Sequence, residues 1–362
     1  MEFPTNFDAI RQRIKQVNPS KYAATRNYVN GAVSYLSPYI SRGVISVNEI
    51  KKEVLKNYSA YESQKFLQEL AWREYWQRVW QSKGDDILQD LKHPQQQVLH
   101  KQMIKNIAEA ATGIDAIDEH IQILYDKGYM HNHVRMYVAS ISCNIGGAHW
   151  LQPARWLYYN LIDGDIASNH LSWQWVAGSF SSKKYYCNQE NINKFTHNHQ
   201  KNSFLDFSYE HIEQMPVPDM LLEKDKNFLK TILPQTELPV IDALKPVLLY
   251  NSYNLDPLWR KEEDANRILL LEPSFFAKFP VSEMVIEFVI SLAKNIDGIE
   301  IYCGEIQDVE TAYPTINFIS KEHPAFLHYP GNKDSRDWMF PQVTGYFPSF
   351  SSYWKKCEKF LY

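Results

Sequence analysis

From Asn6 to about Phe195 the apolar positions recur at three- and four-residue steps, with few β-branched runs and many polar breaks. That is the periodicity of helices with one buried face. The spacing predicts helices over 6–16, 46–56, 61–82, 116–127, 132–145, 152–161 and 166–176. Asp8 and Ser20 stand where N-caps are expected, and Gly31, Gly43, Gly84, Gly113 and Gly128 mark breaks between segments. No glycine-rich phosphate loop occurs in this half, so a nucleotide cofactor there would be gripped by helix ends and side chains.

Between about His197 and Lys245 the pattern changes. HNHQKNS is polar, and QMPVPDM and LPQTELPV bring prolines, which predicts a connector with one short helix around 219–232. Beyond it KPVLLY, RILLLE, IEIYC, TINFI and AFLHY read as short strands, and VSEMVIEFVISLAKN reads as a helix between the second and third. The expected fold is mostly α: a helical domain at 1–213, a linker at 214–244, and a small α/β domain with a largely parallel sheet at 245–362.

Composition narrows this picture. Of 362 residues, 44% are hydrophobic and 14% aromatic, which excludes global disorder. Ten Trp and 23 Tyr supply material for stacking surfaces or redox relays as well as for packing. The net charge of −4 argues against generic nucleic-acid binding. Residues 1–213 carry 23 basic against 21 acidic side chains and the remainder 15 against 21, so a local basic face remains open to the front half. Cys143, Cys187, Cys303 and Cys357 are far apart without metal-ligand spacing, and neither a metal site nor a disulfide framework is expected. MEFPTNFDAI has acids and a proline where a secretory leader is basic and apolar, and no apolar run has membrane-spanning length. The expectation is a cytoplasmic protein with no membrane partner.

The densest chemistry lies in LIDGDIASNHLSWQW, from Leu161 to Trp175. Trp156, Tyr159, Ile162, Ile166, Asn169 and Trp173 recur at helical steps, gathering polar groups and large rings toward one side of a buried helix pair. Aspartates such as Asp163 and Asp165 are rarely buried unless paired. Something polar and aromatic is expected there.

Four further segments accompany it in order: LSPYISRG (36–43), ELAWRE within helix 61–82, TGIDAID from Thr112, and GYMHNHVRM from Gly128. With DGDIASNHLSWQW they resemble, at similar separations, the FAD-binding helical domain of the DNA photolyase/cryptochrome family. The resemblance covers about residues 20–195 and implies an FAD cofactor. It places Asn169 beside the flavin ring, tuning its reduced form, and pairs Asp163 with Arg135 across that ring. Asp165 falls against the cofactor, and Tyr22, Ser34, Tyr35, Leu36 and Ser37 fall along its phosphates. Trp173 and Trp150 match the inner and middle members of the family's photoreduction chain, whereas the outer member falls near Gln97 without a counterpart. A substitute in Trp156 or a nearby Tyr, and a truncated chain, are equally open.

The same resemblance implies a base-flipping pocket. Glu69, Trp72, Asn132, Met136 and Trp175 match residues that hold the flipped pyrimidine pair, and Arg26, His133, Lys183 and Lys184 fall beside the DNA. His133 departs from the arginine common there, leaving a titratable group. KKYYCNQENINKF (183–195) resembles the ending of the bacterial iron–sulfur branch, yet that branch's cluster cysteines have no match here. Family proteins carry an α/β antenna domain ahead of the flavin domain, and here the α/β segment follows it. The implied function is light-driven repair of cyclobutane pyrimidine dimers in DNA. The alternatives are a cryptochrome-like blue-light sensor, signalling to a protein partner through the acidic C-terminal part, and a flavoprotein with a dark redox task.

Overall fold

The computed structural model describes residues 2–361. In chain order the helices are α1 (Phe7–Lys15), α2 (Pro19–Thr25), α3 (Ser37–Ser41), α4 (Val47–Leu55), α5 (Ala60–Lys83) and α6 (Lys105–Ala108). They continue with α7 (Asp115–Lys127), α8 (Asn132–Ser140), α9 (Leu151–Asn160), α10 (Ile166–Ala177), α11 (Gln189–Thr196) and α12 (Tyr209–Gln214). The last third holds β1 (Val247–Tyr250), β2 (Asn266–Leu270), α13 (Pro273–Lys278), α14 (Glu283–Ala293) and β3 (Ile299–Tyr302). It ends with α15 (Ile306–Ala312), β4 (Phe318–Lys321), β5 (Asn332–Asp334) and α16 (Phe350–Cys357).

Local chemistry explains most boundaries. Ser46 and Glu49 form a reciprocal capping box at the start of α4, each side chain accepting from the other's backbone N–H. Helix α7 stops at Gly128, whose left-handed φ of 63° lets its N–H reach the Leu124 carbonyl. The cap of α1 is Asn6 rather than Asp8, because only Asn6 stands one residue ahead of the helix with an oxygen on the Ala9 N–H; Asp8 sits in the first turn. Ser20 is likewise inside α2 and not at its cap. The stretch expected as one helix over 132–145 runs as α8 and then loosens into a π-helical turn at Ile141–Ile145.

The chain divides into two compact units that are not the sequential blocks 1–213, 214–244 and 245–362. The first comprises residues 20–33 and 83–229; the second comprises 2–19, 34–82 and 230–361. Long-range bonds explain the grouping of α5 with the C-terminal segment. Buried Glu74 accepts from the Met339 and Phe340 amides and from the Tyr353 hydroxyl. Gly43, at φ +62°, lies so close to the Tyr253 carbonyl oxygen that a Cβ would come within 2.2 Å of it.

In the first unit α8, α9 and α10 pack around a core that includes Ile117, Tyr137, Trp150, Leu157 and Trp173. In the second, five strands form a wholly parallel sheet in the order β3-β2-β1-β4-β5, with Val247 opposite both Asn266 and Phe318. All four residues of β1 are buried, as expected for the central strand of a covered parallel sheet. AFLHY is not a strand: Pro324 has no N–H for a ladder, and His323 turns the chain by accepting from the Ala325 amide. The edge is taken instead by β5. The expected helix around 219–232 reduces to a single 3₁₀ turn at Asp219–Leu221. No described helix is long and apolar enough to cross a membrane.

Candidate functional site

The DGD turn between α9 and α10 organises the first unit's polar centre. Gly164 is required there, because a Cβ would stand 2.9 Å from the Leu161 carbonyl oxygen and 3.1 Å from the Tyr158 ring. On one side of it Asp163, 3% exposed, accepts from Arg135 Nη2 at 2.9 Å through both oxygens. Arg135 is itself fixed by donating Nε to the Met130 carbonyl. On the other side Asp165 N-caps α10 by accepting from the Ser168 amide. One turn on, Asn169 donates Nδ2 to the Ala154 carbonyl at 2.8 Å, which ties its amide to α9. Beside it the buried Ser168 Oγ makes no hydrogen bond.

Farther along α10, Trp173 is buried and Trp175 exposed, its ring 6.2 Å from Tyr185. Trp150 is fully buried at the head of α9 and donates Nε1 to Asp90 Oδ1 at 2.7 Å. His170 packs edge-on to both Trp150 and Tyr158, and burial followed by the nearby Arg155 charge holds its imidazole down at about 3. His133 stacks on Phe195 at 4.6 Å, and burial, then Arg26, pushes it down to about 4. It is therefore neutral at physiological pH, not a stand-in for a fixed cation. Asn132 and Lys183 are exposed, while Tyr22, Arg26 and Met136 are half-buried. Lys184 donates to Gln97 Oε1 at 2.7 Å, so the position expected for an outer indole holds a lysine contact.

The remaining candidates belong to the second unit. Tyr35 adopts a left-handed φ of 52°, and Leu36 is the buried N-cap of α3, with Ser34 and Ser37 on either side half-buried. Glu69 pairs with Lys65 at 2.9 Å. Trp72, expected to offer its face to a base, is already stacked on Phe350 of α16 at 3.8 Å and 11°. Trp76 and Tyr75 pack around the same indole. Asp90, His149 and His170 have no role in the sequence pattern, and nothing in ILQDLKHP signals a partner for the Trp150 indole. Among the described residues no His, Cys, Asp or Glu cluster could hold a metal ion.

Residues 66–228 match the family model of the FAD-binding domain of DNA photolyase. That segment is similar to the photolyase/cryptochrome family. A deoxyribodipyrimidine photo-lyase of Streptomyces griseus is 31% identical over 150 residues, covering 41% of this chain and 32% of the relative. That of Alkalihalophilus pseudofirmus is 31% identical over 163 residues, covering 44% and 34%. A cryptochrome DASH of Gloeobacter violaceus is 30% identical over 171 residues, covering 43% and 33%. Each match thus spans about a third of the relative's length. The crystal structure of a Synechocystis sp. PCC6803 cryptochrome aligns with a TM-score of 0.47 and 24% identity, covering 54% of this chain and 44% of that one. Photolyases and DASH cryptochromes both occur among the relatives, so the likeness alone does not choose between repair and sensing.

Proposed function

We propose that this chain binds FAD and repairs cyclobutane pyrimidine dimers in DNA by light-driven electron transfer. The first unit's residues fit a flavin, whose edge needs donors and acceptors together: the Arg135–Asp163 pair, the Asn169 amide and the unpartnered Ser168 hydroxyl provide them. When bound, reduced FAD supplies a photoexcitable one-electron donor. Asp163 and Arg135 would orient it, and Asp165 would hold the α10 terminus rigid beneath it. Trp173 and Trp150 would pass electrons inward through a core that excludes water. Asn132 and Trp175, both at the surface, would meet the lesion, with Lys183 on a phosphate. Ser34, Tyr35, Leu36, Ser37, Glu69 and Trp72 take their roles from the motif series alone.

The observation that carries this reading is the DGD turn, which pairs buried Asp163 with Arg135 and caps the helix bearing Asn169, Trp173 and Trp175. One observation favours a second reading. Phe350 occupies a face of Trp72 in the stacked geometry a base would take, which suits a blue-light sensor that passes its signal to a protein partner through the acidic C-terminal part. The test is to load the chain with FAD, reduce it, and irradiate it with a dimer-bearing oligonucleotide. Loss of dimer supports repair. Retained FAD with no loss of dimer, in a chain whose oxidised flavin photoreduces in a separate irradiation, supports sensing, and failure to retain FAD sinks both.

A further inference from the structure

We infer that Asp90 is the proton acceptor of Trp150 when that buried indole is oxidised. The proposal deepens the flavin reading, in which photoexcited oxidised FAD is the one-electron oxidant, but the geometry stands within this unit's own residues. Trp150 is sealed in the core, and its indole Nε1–H points at a carboxylate oxygen 2.7 Å away. The second oxygen of Asp90 accepts from the Gln95 amide, and Gln95 in turn accepts from the Trp150 backbone N–H, so carboxylate and indole are held in register from both ends. The Asp90 side chain is 23% exposed, and His149 Nε2 stands 3.3 Å from Oδ1, which gives the proton a way out.

Other indoles show what is particular here. Trp156 donates to the neutral hydroxyl of Tyr125, a poor proton acceptor. Trp259 donates to Asp334, but Arg260 grips that carboxylate at 2.7 Å, which holds it below the usual carboxylate range and makes it a weak base. Asp90 is met by the Trp150 indole, the Gln95 amide and His149 rather than by a guanidinium among the described residues, and it offers both charge and an exit.

The step balances. Trp150 loses one electron to the oxidant and becomes an indole radical cation, a far stronger acid than indole. The Nε1–H bond breaks and an O–H bond forms on Asp90, leaving a neutral indole radical and a neutral carboxyl. Charge recombination then requires the proton to return as well as the electron. The hole is trapped at the middle position of the chain without an outer tryptophan near Gln97.

A ruthenium polypyridyl photo-oxidant attached through Gln96→Cys, in a Cys303→Ser background, tests this without any flavin. Transient absorption distinguishes the cationic from the neutral indole radical, and infrared difference spectra report a newly protonated carboxyl. The expected result is a neutral radical with a carboxyl band, both lost in Trp150→Phe. In Asp90→Asn the band disappears and the cation persists on the order of 10²-fold longer, while Asp90→Glu restores rapid deprotonation. Deprotonation at the wild-type rate in Asp90→Asn, or a radical unchanged by Trp150→Phe, overturns the proposal. If Asp90→Asn does not fold, a wild-type band that shifts on aspartate ¹³C labelling supports the assignment, and a band that does not shift overturns it. The same flash on FAD-loaded protein is a separate arm: no radical there, with the band present under ruthenium, removes the flavin reading and leaves Asp90 in place.

Discussion

Replacing Glu74 probes how α16 is held over Trp72. The carboxylate is buried at 2% exposure and receives three donors, the Met339 and Phe340 amides and the Tyr353 hydroxyl. In Glu74→Ala all three remain buried without a partner, at about 1–3 kcal/mol each, so a loss of roughly 3–9 kcal/mol is expected. Glu74→Gln keeps an acceptor oxygen for two of the donors but sets its NH2 against the third, which loses its partner, while the cost of burying a charge is removed; its loss should be smaller, about 1–3 kcal/mol. Burial raises the Glu74 carboxyl above its ordinary range despite the three donors. The folded state therefore binds this proton more tightly than the unfolded chain does, and the stability contribution falls as pH rises from the unfolded value through the folded one. Glu74→Gln should flatten that slope. Urea unfolding monitored by tryptophan fluorescence across pH measures all three quantities. A Glu74→Ala loss below about 1 kcal/mol, or equal losses in the two variants, would refute the reasoning.

Phe350→Ala should cost about 3 kcal/mol of stability yet strengthen binding of dimer-bearing over undamaged DNA, read by fluorescence anisotropy; unchanged lesion preference would remove Phe350 as an occupant of the Trp72 face. His170, held at about 3 in the fold, stays neutral while the unfolded chain takes up a proton below its ordinary value. Stability should therefore fall on acidification from about pH 6.5, and His170→Phe should recover about 2 kcal/mol at pH 5, which acid unfolding curves would reveal. Asp165→Ala should cost at least about 1 kcal/mol through the lost cap and weaken FAD retention; Asp165→Asn, which can still cap, should keep the stability and isolate the effect of charge in a flavin-binding titration. Lys183→Ala should weaken DNA binding about equally for every sequence and reduce the slope of log affinity against log salt by about 1.

The helices were largely legible because their signals are local. The segment expected at 61–82 runs from Ala60 to Lys83, and that at 116–127 from Asp115 to Lys127, each governed by periodicity and a terminating glycine or polar break. The grouping of α5 with the C-terminal segment was not legible, since Glu74 meets Met339 across 265 positions and neither end has a local pattern that names the other. Strand TINFI was found at β4, whereas AFLHY was misread because its apolar content outweighed Pro324 in the pattern. Within the candidate site, Asp163 and Arg135 stand 28 residues apart, and only the motif series suggested their meeting. Asp90 lay outside every motif, and its partner became visible only when the chain folded back to place Trp150 against it.

The discontinuous second unit has a consequence for biosynthesis. Residues 2–19 leave the ribosome early, but their folding partners beyond residue 230 emerge only after some two hundred further residues, roughly 10–40 s later at ordinary elongation rates. For that interval the Phe7 amide and the Thr5 carbonyl at the head of α1 lack the Asn295 side chain that accepts from one and donates to the other. A stop codon just before residue 230 would therefore complete the first unit yet leave residues 2–19 and 34–82 without the segment they fold against.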